Sequence, residues 1–207
     1  QIGLPIAINL IQSGYRVVGH RRSNLGPFTA AGGHPAPSAA QVAREARVIL
    51  MCLPNEAAQL GALDELLDVL TPEHVVIELG TYRRHFKLAQ ADRLASRGAR
   101  VLEAEISGSP PMVARRQAAF YVGGEPQVYA ECEPVLAAIT AHRFHLGAYG
   151  SAVTMKSIAN YLLTIHTLAA AEAMNLGARA GFDPMLVAQV ISQGAGNSAM
   201  FSIRAPL

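Results

Sequence analysis

Apolar positions along the chain follow two rhythms. Short runs at Arg16–His20, Val48–Leu53 and Val75–Leu79 are rich in β-branched residues and apolar at nearly every position. That is the pattern of strands covered on both faces. Longer stretches around Ser38–Ala46, Ala57–Leu70 and Arg84–Arg97 carry helical spacing, with Ser38 suited to an N-cap and Gly98 to a C-terminal stop. Strand alternating with helix predicts an α/β domain with a parallel sheet and right-handed crossovers. Further strands are predicted at Val101–Ala104, Ala119–Val122 and Arg143–Leu146, with a helix over Gln127–Ile139. The opening QIGLPIAINL reads as a helix that is apolar almost all round, with Gly14 as its C-terminal cap. After Gly150 the strand signals stop. Ser151 to about Ala180 reads as one long helix ended by Gly181, and Asp183-Pro184 supplies an N-cap and a first-turn proline for another that stops near Gly194. GGHPAPS (Gly32–Ser38) reads as a loop. The pattern divides residues 1–147, an α/β domain, from residues 148–207, the start of an all-α segment.

Composition narrows the picture. At 207 residues, 51% hydrophobic and 15% charged, the chain is globular and long enough for one sizeable core or two modest ones. A net charge of +2 without a Lys/Arg block gives no reason to expect a nucleic-acid partner. The longest apolar stretch contains His166 and Glu172, so no membrane span is expected. Without a basic n-region the N-terminus does not read as a signal peptide, and the expected location is the cytoplasm. Cys52 and Cys132 form no metal or redox spacing, so no metal is expected; Cys52 sits in an apolar run and reads as a core residue. Lysine occurs only at Lys87 and Lys156, against 17 Lys and Arg together.

Two segments suggest chemistry. A dinucleotide-binding βαβ unit places the third glycine of G-x-G-x-x-G inside the first turn of its helix. Gly3 fits that place, with helix Leu4–Ser13 and strand Arg16–His20 following; the first strand and first two glycines would then lie upstream of Gln1. One glycine ahead of a helix fits any buried helix of an α/β protein equally well. In NAD binders the second strand ends in a carboxylate for the ribose 2′-hydroxyl. Here no Asp or Glu precedes Glu45, and the position reads His20-Arg21-Arg22-Ser23. Guanidinium groups suit a 2′-phosphate, so given a dinucleotide site, NADP is favoured and NAD less so. A solvated basic turn is the alternative.

The second segment is GAYGSAVTMKSIAN (Gly147–Asn160). Lys156 stands early in the long helix and Asn160 follows at i+4, on the same face. A group that must both give and take a proton is served by Lys rather than Arg, since a partly buried Lys titrates toward neutrality. Val153, Met155 and Ile158 would desolvate it. A lysine snorkelling from a packed helix to solvent has the same spacing.

Taken in order, these segments resemble the β-hydroxyacid dehydrogenases, which include 3-hydroxyisobutyrate dehydrogenase, tartronate semialdehyde reductase and the 6-phosphogluconate dehydrogenases. Gly3-Leu4-Pro5-Ile6-Ala7 is similar to the end of the family's dinucleotide fingerprint, and His20-Arg21-Arg22-Ser23 to its NADP-type strand end. Met51-Cys52-Leu53-Pro54-Asn55 is similar to its cofactor loop, and Glu103 through Ser109 to its substrate segment. Gly147 through Asn160 is similar to its catalytic helix, and Glu172 through Pro184 to that helix's continuation. The resemblance implies a Rossmann-type doubly wound sheet followed by the start of an all-α helical domain. It implies hydride transfer between NADP and the hydroxyl-bearing carbon of a small 3-hydroxy acid. Lys156 would be the general acid/base, with Ser107, Gly108, Ser109 and Asn160 at the substrate. Gly3, Leu4, Arg21, Arg22, Ser23, Leu53, Pro54 and Thr81 would be at the cofactor.

The chain also departs from the family pattern. Ser109 stands for a second glycine, Glu103 and Glu105 for Asp-x-Pro, and Ile106 for a valine. Arg115-Arg116-Gln117 replaces a segment ending Gly-Thr, and Ala152 replaces a glycine. Gly80-Thr81-Tyr82-Arg83 keeps only the threonine of a Ser-Thr loop. Arg115 and Arg116 fit either a more acidic substrate or a solvated surface. The family's further helices and its other substrate-side lysine are expected beyond Leu207. The parent protein is expected to be a homodimer or homotetramer acting on a small hydroxyacid or carbonyl substrate, and the chain by itself to bind NADP poorly. A non-catalytic NADP-binding module is one alternative. An imine or carbonyl reductase of the same superfamily is another, although imine reductases usually lack the lysine.

Overall fold

The computed structural model describes residues 2–205; Gln1, Pro206 and Leu207 lie outside the described residues. The chain divides into two compact units, Gln1–Lys156 and Ser157–Leu207.

In the first unit, α1 (Gly3–Gln12) leads to β1 (Val18–Gly19), α2 (Gly26–Ala30), β2 (His34–Pro35) and α3 (Ala39–Glu45). Then come β3 (Val48–Met51), α4 (Glu56–Leu67), β4 (Val75–Glu78), α5 (Arg84–Ala95) and β5 (Arg100–Ser107). The unit continues with α6 (Pro110–Ala114), β6 (Ala119–Gly124), α7 (Pro126–Ile139) and β7 (His142–His145), and α8 (Ser151–Arg179) begins in it. Strands β3 to β7 form one sheet in sequence order, and β1 pairs with β2 in a separate parallel pair.

Alternation along β4 shows how the sheet is covered. Val75 and Ile77 join Ile6 and Leu10 of α1 and Val128, Cys132 and Leu136 of α7 in one core. Val76, between them, joins Ala43 of α3, Leu63 and Leu66 of α4 and Leu94 of α5 in the other. Successive strand residues point to opposite faces, so helices lie on both sides, which makes this a doubly wound α/β unit. The apolar α1 carries one buried polar residue, Asn9. Its Nδ2 donates to the Val113 carbonyl at 2.7 Å and the Ile139 carbonyl at 3.2 Å, which satisfies a group that burial would otherwise penalise.

Four sequence expectations are corrected. The sheet is not wholly parallel: β6 runs antiparallel to β5. Their connection holds only the short α6, whereas a parallel pair needs a full crossover such as α7, which joins β6 to the parallel β7. Gly32–Ser38 is not all loop, because His34–Pro35 pairs with Val18–Gly19. Phe28 packs where a Cβ on Gly33 would come within 2.2 Å of its ring, so the two glycines flanking that ring, Gly19 and Gly33, make room for it. The first strand is two residues long rather than five. Cys52 is exposed, not core, because β3 ends at Met51.

In the second unit, α9 (Pro184–Ser192) and α10 (Ala199–Arg204) start at caps the sequence encodes: the Asp183 and Ser198 side chains accept from Leu186 N and Phe201 N. Tyr161, Leu162, Leu163, Leu176, Phe182 and Met185 are exposed there. Among the described residues no helix is long and apolar enough to cross a membrane.

Candidate active site

The residues singled out for cofactor lie immediately beyond strand ends. Arg21, Arg22 and Ser23 follow β1, Leu53 and Pro54 follow β3, and Thr81 follows β4. Ser107 ends β5, and Gly108 and Ser109 follow it. Ligands of open α/β sheets bind outside the carboxyl ends of the strands. The β3 and β4 loops are tied together, since the Tyr82 hydroxyl donates to the Leu53 carbonyl at 2.9 Å.

Helix α1 opens with Gly3 and Leu4. Among the described residues it has no side-chain cap and no acidic residue in its first turn; the Gly3 N–H faces the Cys52 sulfur, which leaves the N–H groups after it for an anion. A Cβ on Gly3 would lie 3.6 Å from Cys52 Cβ, an ordinary contact, so among the described residues packing alone does not demand glycine. Arg21 and Arg22 are exposed and form no ion pair among the described residues. Arg22 reaches toward α4, where its guanidinium lies 3.6 Å from a Cβ built on Gly61. An uncapped helix start and two uncommitted guanidiniums fit a phosphorylated dinucleotide.

Strand β5 organises the rest. The fully buried Glu103 accepts from Gly150 N at 2.6 Å and Ala152 N at 2.8 Å. A carboxylate thus caps the start of α8, where the helix dipole favours negative charge. The approach is close enough that a Cβ on Gly123 would come within 2.7 Å of Glu103 Oε1. With α8 pinned to β5 at its first turn, Lys156 is brought back onto the same strand, and its Nζ donates to the Ile106 carbonyl at 2.6 Å. Lys156 is half-buried. Burial holds its ammonium below the usual lysine range, and the Glu105 carboxylate partly offsets that.

Directly after Ile106 the chain turns at Ser107-Gly108-Ser109. Gly108 has φ 154°, and a Cβ there would come within 2.8 Å of Ala118 Cβ, so the backbone passes too close for a side chain. Ser107 is half-buried, while Gly108 and Ser109 are exposed. Asn160 is exposed on α8, one turn beyond Lys156. Arg115 and Arg116 are both exposed. Arg115 Nε donates to the Pro111 carbonyl, and Arg116 donates to the Asn9 carbonyl and Ser13 Oγ, tying the end of α6 to α1.

Beneath this surface lies a cluster of charges that the sequence analysis did not single out. Lys87 of α5 is fully buried, with Nζ 2.5 Å from Glu105 Oε1, 2.8 Å from Glu78 Oε2 and 3.3 Å from Glu103 Oε2. It also donates to the Gly80 carbonyl at 2.9 Å. Gly80 N donates to Glu78 Oε1, and Thr81 Oγ1 donates to Glu105 Oε2, both at 2.5 Å. Burial pulls Lys87 down, but its carboxylates, Glu78 first, outweigh that and hold it above the usual lysine range. Burial pushes Glu78 up to about 7 and Glu105 upward, with Lys87 opposing both. One ammonium does not neutralise a triplet of carboxylates at low dielectric, so the cluster takes up a proton more readily than free carboxylates do. The signal available in sequence was Lys87 itself, one of two lysines in an arginine-rich chain, with two glutamates in the departing substrate segment.

Residues 1–147 match the family described as the NAD binding domain of 6-phosphogluconate dehydrogenase. Residues 150–207 match the NAD-binding family of NADP-dependent 3-hydroxyisobutyrate dehydrogenase. The chain belongs to the β-hydroxyacid dehydrogenase family. As a member it is an NAD(P)-dependent oxidoreductase of CH–OH groups. It is 35% identical to L-threonate dehydrogenase of Cupriavidus necator over 212 aligned positions, covering 99% of this chain and 71% of that one. It is 30% identical to 3-hydroxyisobutyrate dehydrogenase of Pseudomonas aeruginosa, covering 99% and 70%. Among solved structures, Mycobacterium tuberculosis 3-hydroxyisobutyrate dehydrogenase with L-serine superposes with a TM-score of 0.92 at 25% identity, covering 100% of this chain and 72% of that one. A Streptomyces aurantiacus imine reductase superposes at 0.83 with 19% identity, covering 93% and 69%, a likeness of fold alone.

Proposed function

We propose that the full-length protein is an NADP-dependent 3-hydroxyacid dehydrogenase in which Lys156 is the general acid/base. The observation that carries the reading is the Lys156 Nζ, half-buried and held 2.6 Å from the Ile106 carbonyl, directly before Ser107 and Gly108. An ammonium has three donors. One is spent on Ile106, which leaves others for a substrate oxygen. In reduction, Lys156 gives a proton to the carbonyl oxygen; in oxidation, the neutral amine takes the hydroxyl proton. The desolvation that lowers its affinity for the proton suits both directions. Ser107 and Gly108 hold the substrate carboxylate through a hydroxyl and a backbone N–H, with Ser109 beside them. Asn160 hydrogen-bonds the substrate from the next turn of α8.

The bound nicotinamide supplies the hydride. Gly3 and Leu4 offer the helix start to its pyrophosphate. Arg21, Arg22 and Ser23 take the 2′-phosphate, and the absence of carboxylate partners for the two arginines among the described residues supports NADP over NAD. Leu53, Pro54 and Thr81 line its other side. We further propose a cytoplasmic protein that works as a homodimer or homotetramer, which would cover the apolar residues exposed on α8 and α9.

The test is a panel of small hydroxyacids, L-threonate and 3-hydroxyisobutyrate first, each with NADP and NAD. Turnover of a hydroxyacid with NADP at lower KM supports the reading. Tight NADP binding without turnover favours a binding module, and activity on cyclic imines alone favours an imine reductase.

A further inference from the structure

The buried cluster is separate from the groups that touch substrate or cofactor, yet it adjoins them. Glu105 sits at the junction. Its Oε2 accepts from Thr81, which follows β4, and its Oε1 pairs with Lys87. Its neighbour along β5, Ile106, holds the Lys156 Nζ. We propose that Glu105 is a positioning residue for Lys156, a fixed buried carboxylate that sets the field in which the Lys156 ammonium gives up its proton, with Lys87 as its counter-ion. This rests on the reading of Lys156 as general acid/base.

The geometry explains why Lys87 is needed. A lone carboxylate at this depth would take a proton and lose its charge. Lys87, held by the Gly80 carbonyl and by Glu78 and Glu103, supplies the opposing charge that resists that protonation, against the burial that pushes Glu105 upward. Among the described residues, the other ionisable groups of the cluster are engaged elsewhere. Glu103 Oε1 caps the α8 N-terminus and its Oε2 faces Lys87, Glu78 accepts from Gly80 N and pairs with Lys87, and burial keeps the Tyr82 and Tyr149 phenols neutral. Glu105 is accordingly the carboxylate that acts on Lys156. Its effect is to hold the ammonium protonated against burial, which favours the proton-donating form and so the reduction direction at neutral pH.

The chain's two lysines make this directly measurable. Reductive methylation with ¹³C-formaldehyde labels Lys156 and spares the fully buried Lys87, and the methyl resonance missing from Lys156→Arg identifies the one to follow through its titration. Glu105→Gln keeps an acceptor for Thr81 and leaves Glu78 and Glu103 on Lys87. Removing its charge is expected to move the Lys156 titration to lower pH by about one unit. Glu78→Gln takes one carboxylate from the same cluster, on β4 rather than on the strand that holds Lys156, and is expected to move it by less than half as much. Glu105→Met carries the same prediction by a different side chain if the Gln variant fails to fold. An unmoved Lys156 titration in Glu105→Gln, or an equal shift in Glu78→Gln, overturns the proposal. The pH profile of kcat for reduction separates the two claims. If the resonance shifts and the alkaline limb shifts with it, both stand. If the resonance shifts and the limb does not, Glu105 still positions Lys156, but Lys156 is not the proton donor.

Discussion

Replacing Lys87 by Met probes the buried cluster most sharply. Met matches the length of the lysine stem and adapts to the space, so the change removes charge with little cavity. It also removes the cation 2.8 Å from Glu78, 3.3 Å from Glu103 and 2.5 Å from Glu105, and the donor to the Gly80 carbonyl. Glu78 Oε2 and Glu103 Oε2 make no hydrogen bond among the described residues, so their contact with Lys87 is what compensates their burial. Breaking a buried ion pair costs about 3–5 kcal/mol, a large share of the ~5–15 kcal/mol that holds a domain folded. The cost must depend on pH. Burial already pushes Glu78 up to about 7 and Glu105 upward, so acid supplies protons in place of the missing ammonium. Urea unfolding followed by circular dichroism is expected to show a loss of about 3–5 kcal/mol at pH 8, shrinking to about half or less at pH 5.5. A loss below about 1 kcal/mol at pH 8, or the same loss at both pH values, would refute the argument that Lys87 compensates buried negative charge.

Other consequences follow from the same geometry. Glu78 titrates at about 7 in the folded chain against its ordinary value of 4.5, so the folded state binds the extra proton between those values. Stability is therefore fullest below about pH 4.5 with respect to this group and falls as pH rises through about 7. Glu78→Gln should flatten that slope, a difference of up to ~3 kcal/mol in chemical denaturation, and an unchanged slope would contradict the burial argument. Arg21→Asp should weaken NADP binding by roughly 10- to 100-fold in calorimetry and NAD binding far less; equal losses would remove the case for 2′-phosphate recognition. Gly108→Ala forces a Cβ within 2.8 Å of Ala118. It should cost about 1–3 kcal/mol of stability and raise KM for the acid while leaving cofactor affinity unchanged.

Much of the fold was legible because its signals are local. The apolar run VVIEL, the Ser38 and Asp183 caps and the stop at Gly181 depend on neighbours in sequence, and the elements formed where those signals stand. What escaped depended on distant pairing. His34–Pro35 is a strand only because Val18–Gly19 lies beside it, and β6 turned antiparallel because its connection is too short to cross over. The site divides the same way. Lys156 could be singled out by its residue type on a helix among arginines. Arg116 near the substrate segment gave no hint that it reaches back to Asn9, more than a hundred residues earlier. The glutamates at 103 and 105 were visible only as departures from a pattern. Their meaning needed Lys87, placed by α5 against β5, and the start of α8, placed by Glu103 itself.

The central claim is that Lys156 moves the proton. Lys156→Ala should therefore lose about 10²- to 10⁴-fold in turnover of the best hydroxyacid, while calorimetry shows NADP bound as tightly as by the unaltered chain and the unfolding midpoint stays within the range of a surface substitution. Turnover within a few-fold of the unaltered chain, or cofactor affinity and activity falling together, would contradict it.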